Sequence, residues 1–360
     1  MKILHILSEL KFSGAELLLA SASEFLNKNG NTNIILSTGE EVGVFAPYLA
    51  SRNFGIHHLP FRKSFKYLVD FQRFLRHSDV DVVHIHTERA SFLIGIISLL
   101  SGKRVVRTVH NTFEFKGHLK LIRSAERQLL NTLGVTYVAC SPMVKRNEWI
   151  RFHNKCRLVN NWFDPQRIVR TTAENRAAAR EKLKIAPEDL VIISLGNYGP
   201  AKNQEAIVDG VRLLSGTLRI RYIHCGGGGE DLARQTNITS EDPITLAGSV
   251  NNINDYLNAC DAFVSTSFFE GGQISLLEAA ATGTFCITTN VGLAENFESQ
   301  ANVIFIEANA TSLAQALRKL AVLGLDTRLE NGQFLSDFAH ANYRPEVGAN
   351  AYLSYYEAGK

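Results

Sequence analysis

Two glutamates, Glu270 and Glu278, stand eight positions apart in the stretch SFFEGGQISLLEAA at 267–280, and Gly271-Gly272 follows the first directly. In one continuous helix, residues eight apart are separated by about 80° around the axis, so the two carboxylates would not share a face. The glycine pair removes that difficulty. It takes Glu270 out into a loop, and a helix starting near Gln273 then carries Glu278 in its second turn. Between the carboxylates lie the first-turn amides of that helix, from Gly271 and Gly272 through Gln273 and Ile274, unpaired and positively polarised. Carboxylates accept hydrogen bonds from hydroxyls, and amides donate to phosphate. Hydroxyl binder, anion binder, hydroxyl binder is the order that a sugar, a diphosphate and a ribose require. A helix with surface glutamates could carry the same letters, but folding alone gives little reason for two glycines right after a carboxylate.

Other loops carry chemistry of the same kind. In SELKFSGAE the chain turns through Ser13-Gly14 into a helix at Ala15-Glu16. Glycine allows close backbone approach there and the helix start favours an anion, although an ordinary tight turn reads the same way. RTVHN ends an apolar run in His110, and the polar, glycine-containing residues that follow point the imidazole to a ligand cleft rather than the core. His84, His86 and Glu88 in DVVHIHTE alternate as metal ligands on a strand would, but no third ligand with suitable spacing is nearby, so no metal is expected. In SLGNYGPAKNQE, Lys202 lies beside a helix start and adds a cation to an anion site; a solvated surface lysine is the plainer alternative. The four glycines of HCGGGGE do not space as a dinucleotide fingerprint. They let a nucleotide or a neighbouring chain segment lie close to the backbone.

The elements that must hold these loops are legible in the apolar periodicity. KILHIL, NTNIILS, HHLPF, DVVHIH, KRVVRTVH and VTYVAC alternate with longer helical runs, and the pattern restarts after RLVNNWFDPQRIV with LVIISLG, RIRYIHCG, DAFVSTS, GTFCITT and NVIFIE. Strands separated by helices of this length mean βαβ units and parallel sheets covered on both faces. The expected fold class is α/β, two doubly wound domains facing each other across a cleft lined by the carboxyl ends of both sheets. The first domain is placed at 1–164, the second at 171–342, and a last helical segment at 343–360. The boundary falls near Asp164 to Arg170, where apolar periodicity lapses and Pro165 interrupts.

Composition bounds the function. With 360 residues, 45% of them hydrophobic and 20% charged, the chain can bury a large core. No apolar run approaches the roughly 18 residues of a membrane span, and FLIGIISLLSG reads as a buried helix. The amino terminus lacks the pattern of an export signal, and the five cysteines show no CxxC spacing, so reduced buried thiols and a cytoplasmic location are expected. The net charge of +3 conceals an asymmetry: residues 1–165 carry 22 Lys+Arg against 13 Asp+Glu, a surplus of +9, and the remainder carries −6. Something anionic is expected to meet the first half. The run FRKSFKYLVDFQRFLRH at 61–77 interleaves Arg62, Lys63, Lys66, Arg73 and Arg76 with aromatic residues, as interfacial helices do, so reversible contact with an anionic membrane is one reading and a core-facing helix with a solvated basic side is the other. The basic residues lack a nucleic-acid reading motif.

The segment STSFFEGGQISLLEAAATGTFCITTNVGLAE resembles the E-x7-E segment of retaining family 4 glycosyltransferases of the GT-B fold. The likeness extends over nearly the whole chain, through SGAE, DVVHIH, TVHN, VNNWFD, LGNYGPAKN, CGGGGE, AGSVNNINDYLNACDAFVSTS and YRPEVGANAYLSYYE. It implies that Glu278 holds the ribose diol and Glu270 a donor-sugar hydroxyl, while Lys202 and the amides at Gly272 to Ile274 hold the diphosphate. It implies too that Gly14 and His110 approach the donor from the other domain, and that the last helix crosses back to the first. The family commonly has an arginine where this chain has Asn197, and loss of such a charged hydrogen bond would weaken a diphosphate clamp by about 1.5–3 kcal/mol. Ser13 likewise replaces the first glycine of the amino-terminal loop.

The implied reaction moves a sugar from a nucleoside diphosphate, uridine being favoured by the family's habits, to a hydroxyl of a glycan or lipid-linked acceptor with retention. No cofactor is expected, and His110, Lys202 and Glu270 are the catalytic candidates. A sugar-nucleotide epimerase of the same architecture and a catalytically weak sugar-nucleotide binding protein are the rivals.

Overall fold

In the computed structural model of the chain, which describes residues 1–358, the order of elements is dominated by strand-helix alternation. The first sheet contains β1 (Lys2–Leu7), β2 (Thr32–Ser37), β3 (Gly55–His58), β4 (Val82–Ile85), β5 (Arg104–Val109), β6 (Thr136–Ala139) and β7 (Arg157–Leu158). The second contains β8 (Leu190–Leu195), β9 (Ile220–Cys225), β10 (Ile244–Gly248), β11 (Ala262–Ser265), β12 (Phe285–Thr288) and β13 (Val303–Phe305). Every recorded pairing is parallel, and the orders are β3-β2-β1-β4-β5-β6-β7 and β10-β9-β8-β11-β12-β13. Each sheet therefore winds one way and then reverses, at β1/β4 in the first and at β8/β11 in the second. Ligands bind beyond the carboxyl ends of the strands at such a reversal.

The strands read as continuous apolar runs because both faces are covered. In β8 the side chains of Val191, Ile193 and Leu195 join one buried cluster while Ile192 joins the cluster on the other face; Phe263 of β11 and Ala262 with Val264 divide in the same way. Two strands escape the sequence periodicity, β7 and β10. Both lie at sheet edges, where a partly exposed strand has no need of an apolar run.

The chain separates into two compact units: Met1–Trp162 with the residues from Pro345 onward, and Phe163–Arg344. The transition falls two residues before the Asp164 expected from the lapse in periodicity. Within the first unit, the terminal helix Pro345–Glu357 packs against the helix Gly14–Leu26. Gly348 makes its approach to Trp162 possible, since a Cβ there would lie 2.1 Å from the indole ring. Tyr352 and Tyr356 of that helix are buried and reach Thr108 and His84 of the first sheet. All five cysteines are free thiols, four of them buried.

Candidate functional site

Lys202 follows β8 and Glu270 follows β11, so the reversal point of the second sheet places their loops side by side. Main-chain and side-chain bonds lock the two loops together: Phe268 N donates to Ala201 O at 2.9 Å, Thr266 Oγ1 to Asn203 O at 2.7 Å, and Asn203 Nδ2 to Thr266 O and Ala308 O. With the loops fixed, Lys202 Nζ donates to Glu270 Oε1 at 2.6 Å, and Ser267 Oγ donates to the same oxygen at 2.8 Å. Glu270 is largely enclosed, its side chain 10% exposed, whereas Lys202 retains 31%.

The helix Ile274–Thr282 begins one turn later. Gln273 at its start has φ +26° and ψ 62°, a backbone conformation that L-residues rarely adopt and that costs on the order of 1–3 kcal/mol. Its side chain turns inward, with Nε2 donating to Ser265 Oγ at 3.0 Å. The amides of Ile274 and Ser275 precede the first intrahelical bond, which Leu276 N makes to Gln273 O at 3.1 Å. Leu276, Leu277 and Ala279 to Ala281 anchor the helix in the core, each fully buried. Glu278 lies among them, 6% exposed, with Arg167 Nη1 3.6 Å from its Oε1. Burial pushes this carboxyl up to about 7, the Arg167 cation opposes the shift, and Asp164 adds to it. Sequence reading missed Arg167, which sits in the irregular stretch after Pro165 where no periodic pattern marks a residue out.

Asn197 is engaged by the chain itself. Its Oδ1 accepts from Gly227 N at 2.9 Å and its main-chain oxygen accepts from Gln204 Nε2 at 3.2 Å. A Cβ on Gly226 would stand 2.1 Å from Gly196 O. The glycine run thus serves close approach of the chain to itself: the segments after β8 and β9 are stitched together by Asn197 and by Tyr198 N donating to Gly227 O at 2.8 Å.

In the first unit, Gly14 opens the helix Gly14–Leu26 and is exposed; the Ser13 hydroxyl donates to the buried Glu16 carboxylate three residues on. His110 follows β5 and meets His86, whose ring continues to His5. The expectation that His84 and His86 lack a third partner is corrected by the fold: β1 lies next to β4, and ring nitrogens of His5, His84 and His86 lie within 4.8 Å of one another. Both nitrogens of His84 are occupied by hydroxyls, Tyr356 at 2.6 Å and Thr108 at 2.7 Å. Glu88 turns instead to Arg107 and Arg127, and Arg127 Nε donates to the buried Glu148 at 2.9 Å. Burial lowers His5 and His110 to about 4 and lowers His84 and His86 well below the usual histidine range, with the neighbouring histidines adding to the effect for the last two.

The run at 61–77 does not present its aromatic residues as an interface. The helix Phe65–His77 buries Tyr67, Phe71 and Leu75, and Phe61 before it is also buried; Phe65 alone among these aromatics is largely exposed, at 80%. Lys66 and Arg73 both pair with Asp70. The core-facing alternative describes this helix. A different helix, Gly117–Thr132, buries only Arg127 and Leu130 and leaves Leu119, Leu121 and Ile122 in solvent beside Lys116 and Lys120. No helix among the described residues is long and apolar enough to cross a membrane.

The family description Glycosyltransferase Family 4 fits residues 12–167, and that of Glycosyl transferases group 1 fits residues 189–322, one on each sheet. The chain belongs to the group 1 and family 4 glycosyltransferases. Similar proteins include the capsular polysaccharide biosynthesis glycosyltransferase CapH of Staphylococcus aureus, 26% identical over 309 residues that cover 81% of each chain. A second is the Escherichia coli UDP-Gal:alpha-D-GlcNAc-diphosphoundecaprenol alpha-1,3-galactosyltransferase, 25% identical over 81% of this chain and 79% of its own. Among solved structures, Anabaena Alr3699/HepE in complex with UDP and glucose aligns with a TM-score of 0.81, 16% identity, and coverage of 99% of this chain and 100% of that one. This glycosyltransferase therefore has the GT-B class of fold, two parallel-sheet α/β domains of seven and six strands.

The buried histidines of the glycosyltransferase make its stability depend on acidity. Their folded pKa values lie below the unfolded 6.5, so below pH 6.5 the unfolded chain binds protons that the fold refuses, and unfolding becomes easier as pH falls towards about 4. Glu278, raised to about 7, acts in the opposite sense between about 4.5 and 7, but it is one group against four. Chemical denaturation at pH 7.5 and 5.5 will show a loss of about 1 kcal/mol for each of His5 and His110, with His84 and His86 adding in the same direction. The loss will be smaller in a His5→Gln variant.

Proposed function

We propose that this glycosyltransferase transfers a sugar with retention from a nucleoside-diphosphate sugar, a uridine derivative in the first instance, to a hydroxyl of a lipid-linked or glycan acceptor, without a metal. The observation that carries the donor reading is the Lys202–Glu270–Ser267 cluster at the start of the helix Ile274–Thr282. Without ligand the cation and the carboxylate satisfy each other. With a donor, Lys202 and the amides from Gly271 to Ile274 turn to the diphosphate, and Glu270 accepts from a sugar hydroxyl. Glu278, close to half ionised at neutral pH, is drawn to its carboxylate form by the two donor hydroxyls of a ribose. Asn197 holds the loops that shape the pocket and leaves Lys202 as the cation for phosphate.

In the transfer, the bond from the anomeric carbon to the diphosphate oxygen breaks and the bond to the acceptor oxygen forms. The acceptor's proton passes to the departing diphosphate, whose charge Lys202 and the helix amides stabilise. Glu270, held by Lys202 and Ser267, binds a hydroxyl in this scheme and forms no covalent intermediate. The UDP ligand of the Anabaena structure and the UDP-galactose donor named for the Escherichia coli relative support uridine.

The acceptor reading rests on lipid-linked substrates in the relatives' names and on the apolar, lysine-flanked surface of the helix Gly117–Thr132. That helix has the chemistry of reversible attachment to an anionic membrane.

Two measurements test these readings. Incubation with UDP-sugars and lipid-linked acceptors will release UDP and form an α-linked product from an α-linked donor; Lys202→Ala will lower kcat/KM by about 10- to 100-fold, the worth of a charged hydrogen bond. Isomerised donor with no UDP released would instead identify an epimerase, and donor binding with no turnover a binding protein. In sedimentation with anionic vesicles at low salt, the wild type will pellet and the double variant Leu121→Glu, Ile122→Glu will remain in solution; wild-type protein that stays in solution contradicts membrane attachment.

A further inference from the structure

Four polar side chains in the first unit form a single file: Asn33, His5, His86 and His110. Asn33 Oδ1 is 2.9 Å from His5 Nε2, His5 Nδ1 is 3.1 Å from His86 Nε2, and His86 Nδ1 is 3.1 Å from His110 Nε2. The polarity of the file follows from its far end. Asn33 Nδ2 lies 3.1 Å from Leu26 O and 2.9 Å from Asn27 Oδ1. A main-chain carbonyl only accepts, so this atom is the amide NH2 and the atom facing His5 is an oxygen. His5 must then donate from Nε2 and accept at Nδ1. A neutral imidazole has one N–H, so His86 donates from Nε2 and accepts at Nδ1, and His110 in turn donates from Nε2.

We propose that Asn33, His5 and His86 are positioning residues that fix His110 as the Nε2–H tautomer, so that its Nδ1 is a permanent hydrogen-bond acceptor for a substrate hydroxyl. His110 Nδ1 has no protein partner recorded among the described residues. The file cannot carry a proton away, because it ends on an amide that does not ionise, and each imidazole is held neutral by burial. It therefore sets orientation and acceptor character without making His110 an acid. His84 lies beside the file and is excluded from it, since both its nitrogens meet hydroxyls. For the same reason His5, His84 and His86 do not turn three free lone pairs on one point, and the cluster is a hydrogen-bond file and no metal cradle. The tautomer claim stands on the hydrogen-bond geometry together with the burial that keeps the imidazoles neutral; its use in sugar transfer rests on the proposed function.

Long-range nitrogen-proton NMR of the full chain labelled with 15N in its histidine rings tests the tautomer, with His110 assigned from the signals lost in His110→Gln. The wild type will show His110 protonated at Nε2 alone. A wild-type His110 protonated at Nδ1, or an even mixture, overturns the proposal without any variant. Asn33→Leu and His86→Leu will yield mixed tautomers, while Asn33→Asp, which keeps an acceptor oxygen for His5, will retain Nε2–H. Pure Nε2–H in folded Asn33→Leu and His86→Leu overturns the role of the file. With UDP-sugar donor, these two leucine variants will lose about 10-fold or more in kcat, the worth of one hydrogen bond, with the KM for donor little changed. Mixed tautomers with unchanged turnover overturn the catalytic use of the acceptor and leave the donor site's function intact, so the two failures are distinct.

Discussion

A helix that begins at the carboxyl edge of a parallel sheet has first-turn amides without intrahelical partners, and the second sheet of this chain puts one at its reversal point with a carboxylate and a cation on its threshold. The remaining features of that unit follow from holding this arrangement open. Leu276, Leu277 and the alanines pin the helix from below, so that its amino end cannot withdraw into the core. The loops after β8 and β11 are bonded to one another, which places Lys202 on Glu270 and not in solvent. Gln273 is held in an unfavourable backbone conformation directly before the helix, and such strain survives only where the surroundings over-determine it.

The first unit solves a different problem with the same topology. Its reversal lies between β1 and β4, and there His5 and His84 pair in register among buried aliphatic residues, with His86 directly after β4. Burial keeps them neutral, and neutral imidazoles can only be satisfied in a chain of alternating donors and acceptors. Asn33 supplies the fixed end. The terminal helix seals one flank by laying Tyr352 and Tyr356 over Thr108 and His84, which gives the return of the chain to this unit a structural consequence for the histidines.

Much of this was legible in the sequence, for reasons that can be named. Eleven strands appear as apolar runs because parallel sheets are covered on both faces, while β7 and β10 do not, because edge strands need no such run. Gly271-Gly272 after Glu270 signalled the break before the helix, and the spacing to Glu278 put that residue on the helix itself. Contacts between distant segments were out of reach. Nothing near Arg167 announces a partner at Glu278, and nothing in NTNIILS shows that Asn33 will meet His5 across two strands. The basic aromatic run at 61–77 left two readings open because amphipathic helices look alike whether a core or a membrane takes the apolar face; packing of Tyr67 and Phe71 decides for the core.

On the function proposed, the second unit recognises its donor chiefly through phosphates gathered at one helix start, with hydroxyls read on either side. Calorimetric titration of the wild-type chain with UDP, UMP and uridine measures that claim most directly. Affinity that rises with each phosphate, and is too weak to detect for uridine, is the result expected. Equal affinity for all three would contradict the account, because the helix amides and Lys202 would then have no part in binding.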